Sequence, residues 1–161
     1  MQRQRESLRK PLEKGEMLVN NLLFRAKQND TQEWVYGYPL CGVDCCHAAW
    51  MMYIPAANPD ENNRTVFIDE ATLGIWTGLQ DENKKKIFHG DIGVLTVFDH
   101  NGYDYQHNVE TIFDDACGLC FNEVPLGGFW SYGSNEFDLE SQFEIIGNRW
   151  DNPELLKGCK Y

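Results

Sequence analysis

Cysteine and histidine carry the most reactive chemistry in this sequence. Cys117-x-x-Cys120 has the spacing of a zinc half-site, and Cys41-x-x-x-Cys45, followed by Cys46-His47, can supply the other half. A tetrahedral set of Cys41, Cys45, Cys117 and Cys120 is chemically reasonable. Against it, Leu119-Cys120-Phe121 reads as a strand, in which positions three apart point to opposite faces. A shared ion therefore needs a turn at Gly118. Unpaired cysteine is also among the side chains most often buried, so packed thiols are the expectation and zinc is the alternative. Cys46 and His47 are chain neighbours, the wrong geometry for a nucleophile and its base. A distant pair such as Cys45 with His89 has no flanking signature.

The remaining polar candidates divide between turns and contacts. Asp114-Asp115, and Asp99 with Asp104, resemble paired carboxylates, but they sit beside turn signals, where Asp is favoured for its bonds to backbone N–H groups. Gly90-Asp91 reads as a tight turn locked by an Asx-type bond. Lys84-Lys85-Lys86 is the one basic run beyond the N-terminal segment. It reads as a solvated hairpin tip, or as a phosphate contact if an assembly brings several tips together. Trp76, beside Thr77-Gly78, and Trp130, in a Gly-rich stretch, can stack on a base or fill a partner's pocket; core packing is the competing fate. Trp76, Lys84, Lys85, Lys86, His89 and Trp130 form the candidate ligand-binding set. No catalytic constellation emerges.

Strands must position these residues. Leu22, Phe24 and Ala26 alternate with Leu23 and Arg25, and Trp34, Tyr36 and Tyr38 alternate with Val35 and Gly37. With the polar segment 28–32 between them, these runs predict a hairpin. Further strands are predicted at Ala48–Ile54, Thr65–Ile68, around Ile87-Phe88, and at Val94–Phe98, Val109–Phe113, 119–121 and Phe143–Ile146. A long surface loop is expected after Ile54. Asp81-Glu82-Asn83-Lys84 predicts a turn, and Asn101-Gly102 is the strongest hairpin signal. Asn152 as cap, Pro153 at the first helical position and Glu154 near the dipole's positive end predict a short helix to Lys157, stopped by Gly158.

The 161 residues suit one domain. Residues 1–16 stand apart as a basic, polar segment, either a surface helix or a loose tail, with the β domain at 17–161. A second reading starts translation at Met17, because Lys-Gly-Glu before it can be encoded by a purine-rich run resembling a ribosome-binding site. Aromatics make up 13% of the chain, which favours pleated strands over a helical bundle. The net charge of −11 argues against generic nucleic-acid binding. No secretory h-region and no run of about 20 apolar residues is seen. The expected setting is a reducing cytoplasm with thiols unpaired.

Three segments together resemble the YopX family of phage and prophage proteins. The first is Leu23-Phe24-Arg25-Ala26 with Trp34-Val35-Tyr36-Gly37. The second is Glu70-Ala71-Thr72-Leu73-Gly74-Ile75-Trp76-Thr77-Gly78-Leu79, running through Asp81 to Ile87-Phe88 and Gly90-Asp91-Ile92. The third is Ile145-Ile146-Gly147-Asn148 with Asp151-Asn152-Pro153-Glu154-Leu155-Leu156. Their order and spacing hold over roughly residues 22–156. The chain departs from the family pattern at Lys84, where the turn usually ends Asn-Gly, at His89, where an acidic residue is common, and at Gly93, where Val is usual. The cysteines of 41–46 lie outside the pattern. A Lys at a φ > 0 position costs on the order of 1 kcal/mol relative to Gly, so this turn is expected to be wider or less ordered.

The resemblance implies a mainly β, barrel-like domain, a tendency to self-assemble and a phage or prophage context in a bacterial host cell. It implies no enzyme activity. Trp34, Gly37, Thr77, Gly78, Asp81, Gly90, Asp91, Gly147, Asn148 and Pro153 are then read as mostly structural. The leading functional expectation is a non-enzymatic accessory protein that forms homo-oligomers and binds a host component, with no cofactor and no membrane. The alternatives are an oligomer that sequesters a nucleotide immune signal, a zinc-stabilised interaction module, and, last, a hydrolase using Cys45 or an Asp pair.

Overall fold

The alternating runs at the start of the domain pair as their periodicity requires. In the computed structural model, which describes residues 22–44, 47–57, 61–98, 101, 103–116, 118–124, 127–131 and 138–157, β1 (Phe24–Gln28) lies antiparallel to β2 (Trp34–Asp44) with Arg25 opposite Tyr36 and Ala26 opposite Val35. β2 then pairs with β3 (His47–Ile54), and β3 with the first residues of β4 (Arg64–Gln80). β4 also pairs with β1 farther along its length, so the first sheet is partly ring-like. This partial closure is what the barrel-like expectation meets in a mainly β fold. β5 (Lys86–Phe88) adds to the far end of β4.

The second sheet has the order β10-β6-β7-β8-β9, with β6 at Asp91–Phe98, β7 at Asp104–Asp114, β8 at Gly118–Glu123, β9 at Phe129–Ser131 and β10 at Phe143–Asn148. β6 and β7 pair from Ile92 opposite Glu110 to Phe98 opposite Asp104, consistent with a hairpin near Asn101, although Gly102 lies outside the described residues. No described helix is long and apolar enough to cross a membrane.

Two buried clusters form the core. Ala26, Val35, Met52 and Ile68 are buried in the first, with Phe24, Trp50, Ile54, Val66 and Leu73 packed around them. Leu95, Val109, Phe121 and Phe143 of the second sheet are buried together with Ile87 of β5 and Leu139. Each of the larger side chains contributes roughly 1.5–3 kcal/mol by leaving water. Gly93 in place of the usual Val belongs to this packing: a Cβ there would come within 2.3 Å of the buried Phe143 ring.

Two expectations are corrected, and one short element was not foreseen. The strand predicted at Thr65–Ile68 is the start of a 17-residue strand, β4. Its length is hidden by irregular burial: Asp69 Oδ1 accepts from Ala71 N (3.0 Å), Thr72 Oγ1 donates to Asp69 O (2.7 Å), and the register with β1 shifts between Arg25 and Lys27. The stretch before β10 contains a single helical turn, α1 (Leu139–Gln142), which buries only Leu139 and so has no visible period. The C-terminal helix is a 3₁₀ turn, Pro153–Leu156, and Asn152 makes no side-chain cap. Asn152 Oδ1 instead accepts from Asn148 N (3.2 Å), closing the turn that follows β10. The N-terminal segment 1–16, Met17 and Gly158 lie outside the described residues.

Candidate functional site

A buried cation has to find a partner, and Arg25 of β1 does so across the fold. Its Nη2 donates to Asp91 Oδ1 at 2.5 Å, and both side chains are buried. The second carboxylate oxygen accepts from Phe88 N at 2.7 Å, which folds the chain back at the Phe88–Asp91 turn. The guanidinium lies 4.7 Å from the ring centres of both Trp34 and Phe88, close enough for cation–π attraction. Burial pushes the Asp91 carboxyl above its usual range. The Arg25 charge and the Phe88 N–H pull the other way without cancelling it. Among the described residues Arg25 Nε has no hydrogen-bond partner.

Asp81 anchors a second part of the site. It is fully buried at the end of β4. Its Oδ1 accepts from Asn83 N (2.9 Å) and Lys85 N (2.8 Å), and its Oδ2 from Ile145 N (3.2 Å). Lys84 N donates to Asp81 O and Asp81 N to Lys85 O, so Glu82-Asn83-Lys84 form a three-residue loop with Lys84 at φ 61°. A type I turn followed by one left-handed residue satisfies this geometry. The turn is thus the wider kind, and it needs φ > 0 at one position only. Glu82 N also donates to Phe143 O, which fixes the loop against β10.

These two anchors frame an open cleft of about 550 Å³. Arg25, Tyr36, Phe88, Lys85 and Lys86 line it, with Asp91, Leu23 and Ile145 completing the wall. The Tyr36 and Phe88 rings are 5.8 Å apart. The three lysines do not act as one tip. Lys84 turns away to Glu140 on α1 (2.5 Å), while Lys85 and Lys86 face the cleft. Lys86 Nζ also lies 5.4 Å from the Trp76 ring centre.

The other candidates lie outside the cleft lining. Trp76 is half-buried and donates Nε1–H to Leu79 O (2.9 Å). Trp130 on β9 packs against the core of the second sheet, with its ring 4.8 Å from His107. His89 stacks on Phe113, and its Nδ1 accepts from Phe113 N (3.3 Å). Burial lowers the His89 pKa, and the Arg149 and Arg25 charges add to the effect. The ring is therefore neutral at pH 7. Glu110, paired with Arg149 at 2.9 Å, is raised by burial, partly offset by that arginine.

The residues read as structural serve the seam between the sheets. Trp34 meets Trp150 edge-on at 5.6 Å and donates Nε1–H to Asp151 Oδ2 (2.7 Å). Lys27 also pairs with Asp151, whose carboxyl is raised by burial but lowered further by hydrogen bonds from Lys27, Asn148 and Trp34, to about 2. Gly37 is buried in β2 opposite Phe24. Thr77 Oγ1 donates to Ile87 O (2.8 Å), and Gly78 lies in the irregular stretch where β4 meets β5. Gly90 has φ 83°, donates to Thr111 O and accepts from Arg149 N. A Cβ there would come within 2.4 Å of the Trp150 ring, so the turn requires glycine. Gly147 pairs with Ile92 beside a bulge. Asn148 Oδ1 accepts from Trp150 N and Asp151 N, leading into the turn at Pro153.

These are the segments that a family model recognises. The model described as YopX protein matches residues 23–157. The chain belongs to the YopX family. In this YopX-family chain the three matched segments meet at one seam: β1 and β2 from the first, the Asp81 turn and Gly90-Asp91 from the second, Asn148 to Pro153 from the third.

Of the four cysteines of the candidate zinc set, Cys41 and Cys120 are described. Cys41 is exposed on β2 in the first sheet, and Cys120 is buried on β8 in the second, its thiol 3.4 Å from Gly118 O. No cluster of three or more metal-ligating side chains occurs among the described residues. Cys45, Cys46, Cys117 and the side chain of His47 lie outside them, as does Asp99. Asp114 Oδ1 accepts from Ala116 N (2.9 Å), a turn contact. Sequence reasoning missed Arg25 and Tyr36 as site residues. The available signal was the lone charge between Phe24 and Ala26, since a cation at that position must be paired when strands pack on both sides of it.

Proposed function

We propose that this protein is a non-enzymatic phage or prophage accessory protein that self-assembles and binds a host component through the outer face of its first sheet. The observation that supports the reading is an apolar ladder on that face. The register places Tyr38, Tyr53 and Thr65 in one row, and Leu40, Met51 and Phe67 in the next. Tyr36, Leu40 and Phe67 are 48%, 43% and 54% exposed, high values for large apolar side chains grouped on one surface. The alternate positions Met52 and Ile68 already fill the inner core, so the outer row is surplus to folding. Contiguous exposed apolar surface of this kind marks an interaction site. The acidic charge of −11 keeps the isolated chain soluble while the neutral ladder remains available for contact.

Light scattering coupled to gel filtration tests the reading, with the full chain as wild type and as Leu40→Ser/Phe67→Ser. The wild type should exceed the 18.6 kDa monomer mass and capture a bacterial protein from lysate. The double variant should lose both properties while keeping its circular dichroism spectrum. A monomeric wild type that captures nothing would refute the reading.

A further inference from the structure

We propose that the cleft between β1, β2 and the Asp81 turn binds a small ligand of the nucleoside phosphate class, a flat ring carrying a phosphate. The argument begins with charge. The chain as a whole carries −11, yet this cleft gathers Arg25, Lys85 and Lys86 against the single carboxylate of Asp91. Two positive charges are left over in a protein whose surface is otherwise acidic. A phosphate monoester carries about −1.5 to −2 at neutral pH and matches that surplus; a simple carboxylate does not. Long-range repulsion excludes a polyanionic nucleic-acid backbone but acts weakly on a small anion once it is within reach of the lysines.

Geometry supplies the rest. Lys85 and Lys86 stand on the exposed rim, and among the described residues no carboxylate pairs with either, in contrast to Lys84 with Glu140. The backbone beneath them is anchored, because Lys85 N donates to the buried Asp81 carboxylate. The Tyr36 ring, 48% exposed, lines the same cleft beside Phe88 and offers a platform for stacking. Leu23 and Ile145 add apolar wall. Arg25 is oriented by Asp91 and by two aromatic faces, and its buried Nε–H remains unsatisfied. The volume of about 550 Å³ lies within the ~300–1,000 Å³ usual for small-ligand sites. Aromatic rings and lysine side chains lining one cleft make a two-part site, and a nucleotide has the two matching parts.

Calorimetric titration of the full chain with AMP, GMP, CMP and UMP tests the site. At least one should bind saturably, and its affinity should fall on adding salt. The matching nucleoside and inorganic phosphate should each bind about ten-fold more weakly or worse. Lys85→Glu/Lys86→Glu should weaken the nucleotide about ten-fold or more with unchanged thermal unfolding, because both side chains are solvent-exposed. Tyr36→Ala should weaken the nucleotide and leave inorganic phosphate unaffected. Absence of saturable binding by all four at millimolar concentration would overturn the proposal. So would a nucleoside binding as tightly as its nucleotide, or undiminished binding by the double charge reversal.

Discussion

Arg25 and Asp91 show how much a single residue pair decides in this chain. Two ions held out of water gain from each other about what they lose in hydration, but either one left alone does not. Arg25→Leu should therefore destabilise the fold by about 3–5 kcal/mol in urea unfolding. Adding Asp91→Asn should recover part of that loss, because the amide oxygen can still accept from Phe88 N while the stranded charge is gone. Equal stability of the single and double variants would show that the pair is not coupled. The sequence made Asp91 conspicuous through Gly90-Asp91. Its bond to a strand 66 positions away could not be read there, because no local pattern encodes which strand crosses the turn.

Among the elements, the Asp81 turn carries a clear prediction. Lys84 occupies the left-handed region at φ 61°, and its ion pair with Glu140 is solvent-exposed on both sides. An exposed pair contributes roughly 0–1 kcal/mol, whereas a non-glycine residue in that region costs roughly 1–2 kcal/mol. Strain is the larger effect, so Lys84→Gly should stabilise the protein by about 0.5–1 kcal/mol, seen as a higher urea midpoint with unchanged slope. The strands of the first hairpin were readable from alternation, because each has one buried face. β4 was legible only at its start. Along its length it changes partner from β3 to β1 to β5, so its buried face changes too. α1 left no trace because one turn is shorter than one helical period of apolar positions.

For the whole molecule, pH reports on how the sheets meet. His89 has its pKa lowered in the fold, chiefly by burial, so the unfolded chain takes up a proton first as pH falls below 6.5. Stability must then decline as pH drops through that value. Protonation also removes the acceptor that Nδ1 offers to Phe113 N. His89→Asn, which keeps an acceptor but cannot titrate, should flatten the decline in thermal midpoint between about pH 7 and pH 5.5. Asp91 and Glu110 act in the opposite sense. Burial raises both, so their ionisation weakens the fold as pH rises past the ordinary carboxylate range. Asp151, held at about 2, contributes stability that is complete above its unfolded value near 3.8 and disappears only as pH falls through 2.

The sequence by itself determined the mainly β class, the first hairpin, the Asp81 and Gly90-Asp91 turns and the family, because each rests on short-range alternation, turn chemistry or ordered motifs. It also singled out Lys85 and Lys86. Only the tertiary structure separated them from Lys84, packed Trp130 against the core of the second sheet and brought Tyr36 and Arg25 into one cleft with the two lysines. The physical reason is range. Alternation and turns are decided by neighbours within a few residues, whereas the cleft exists only where strands distant in sequence pack together and bury one ion pair between them.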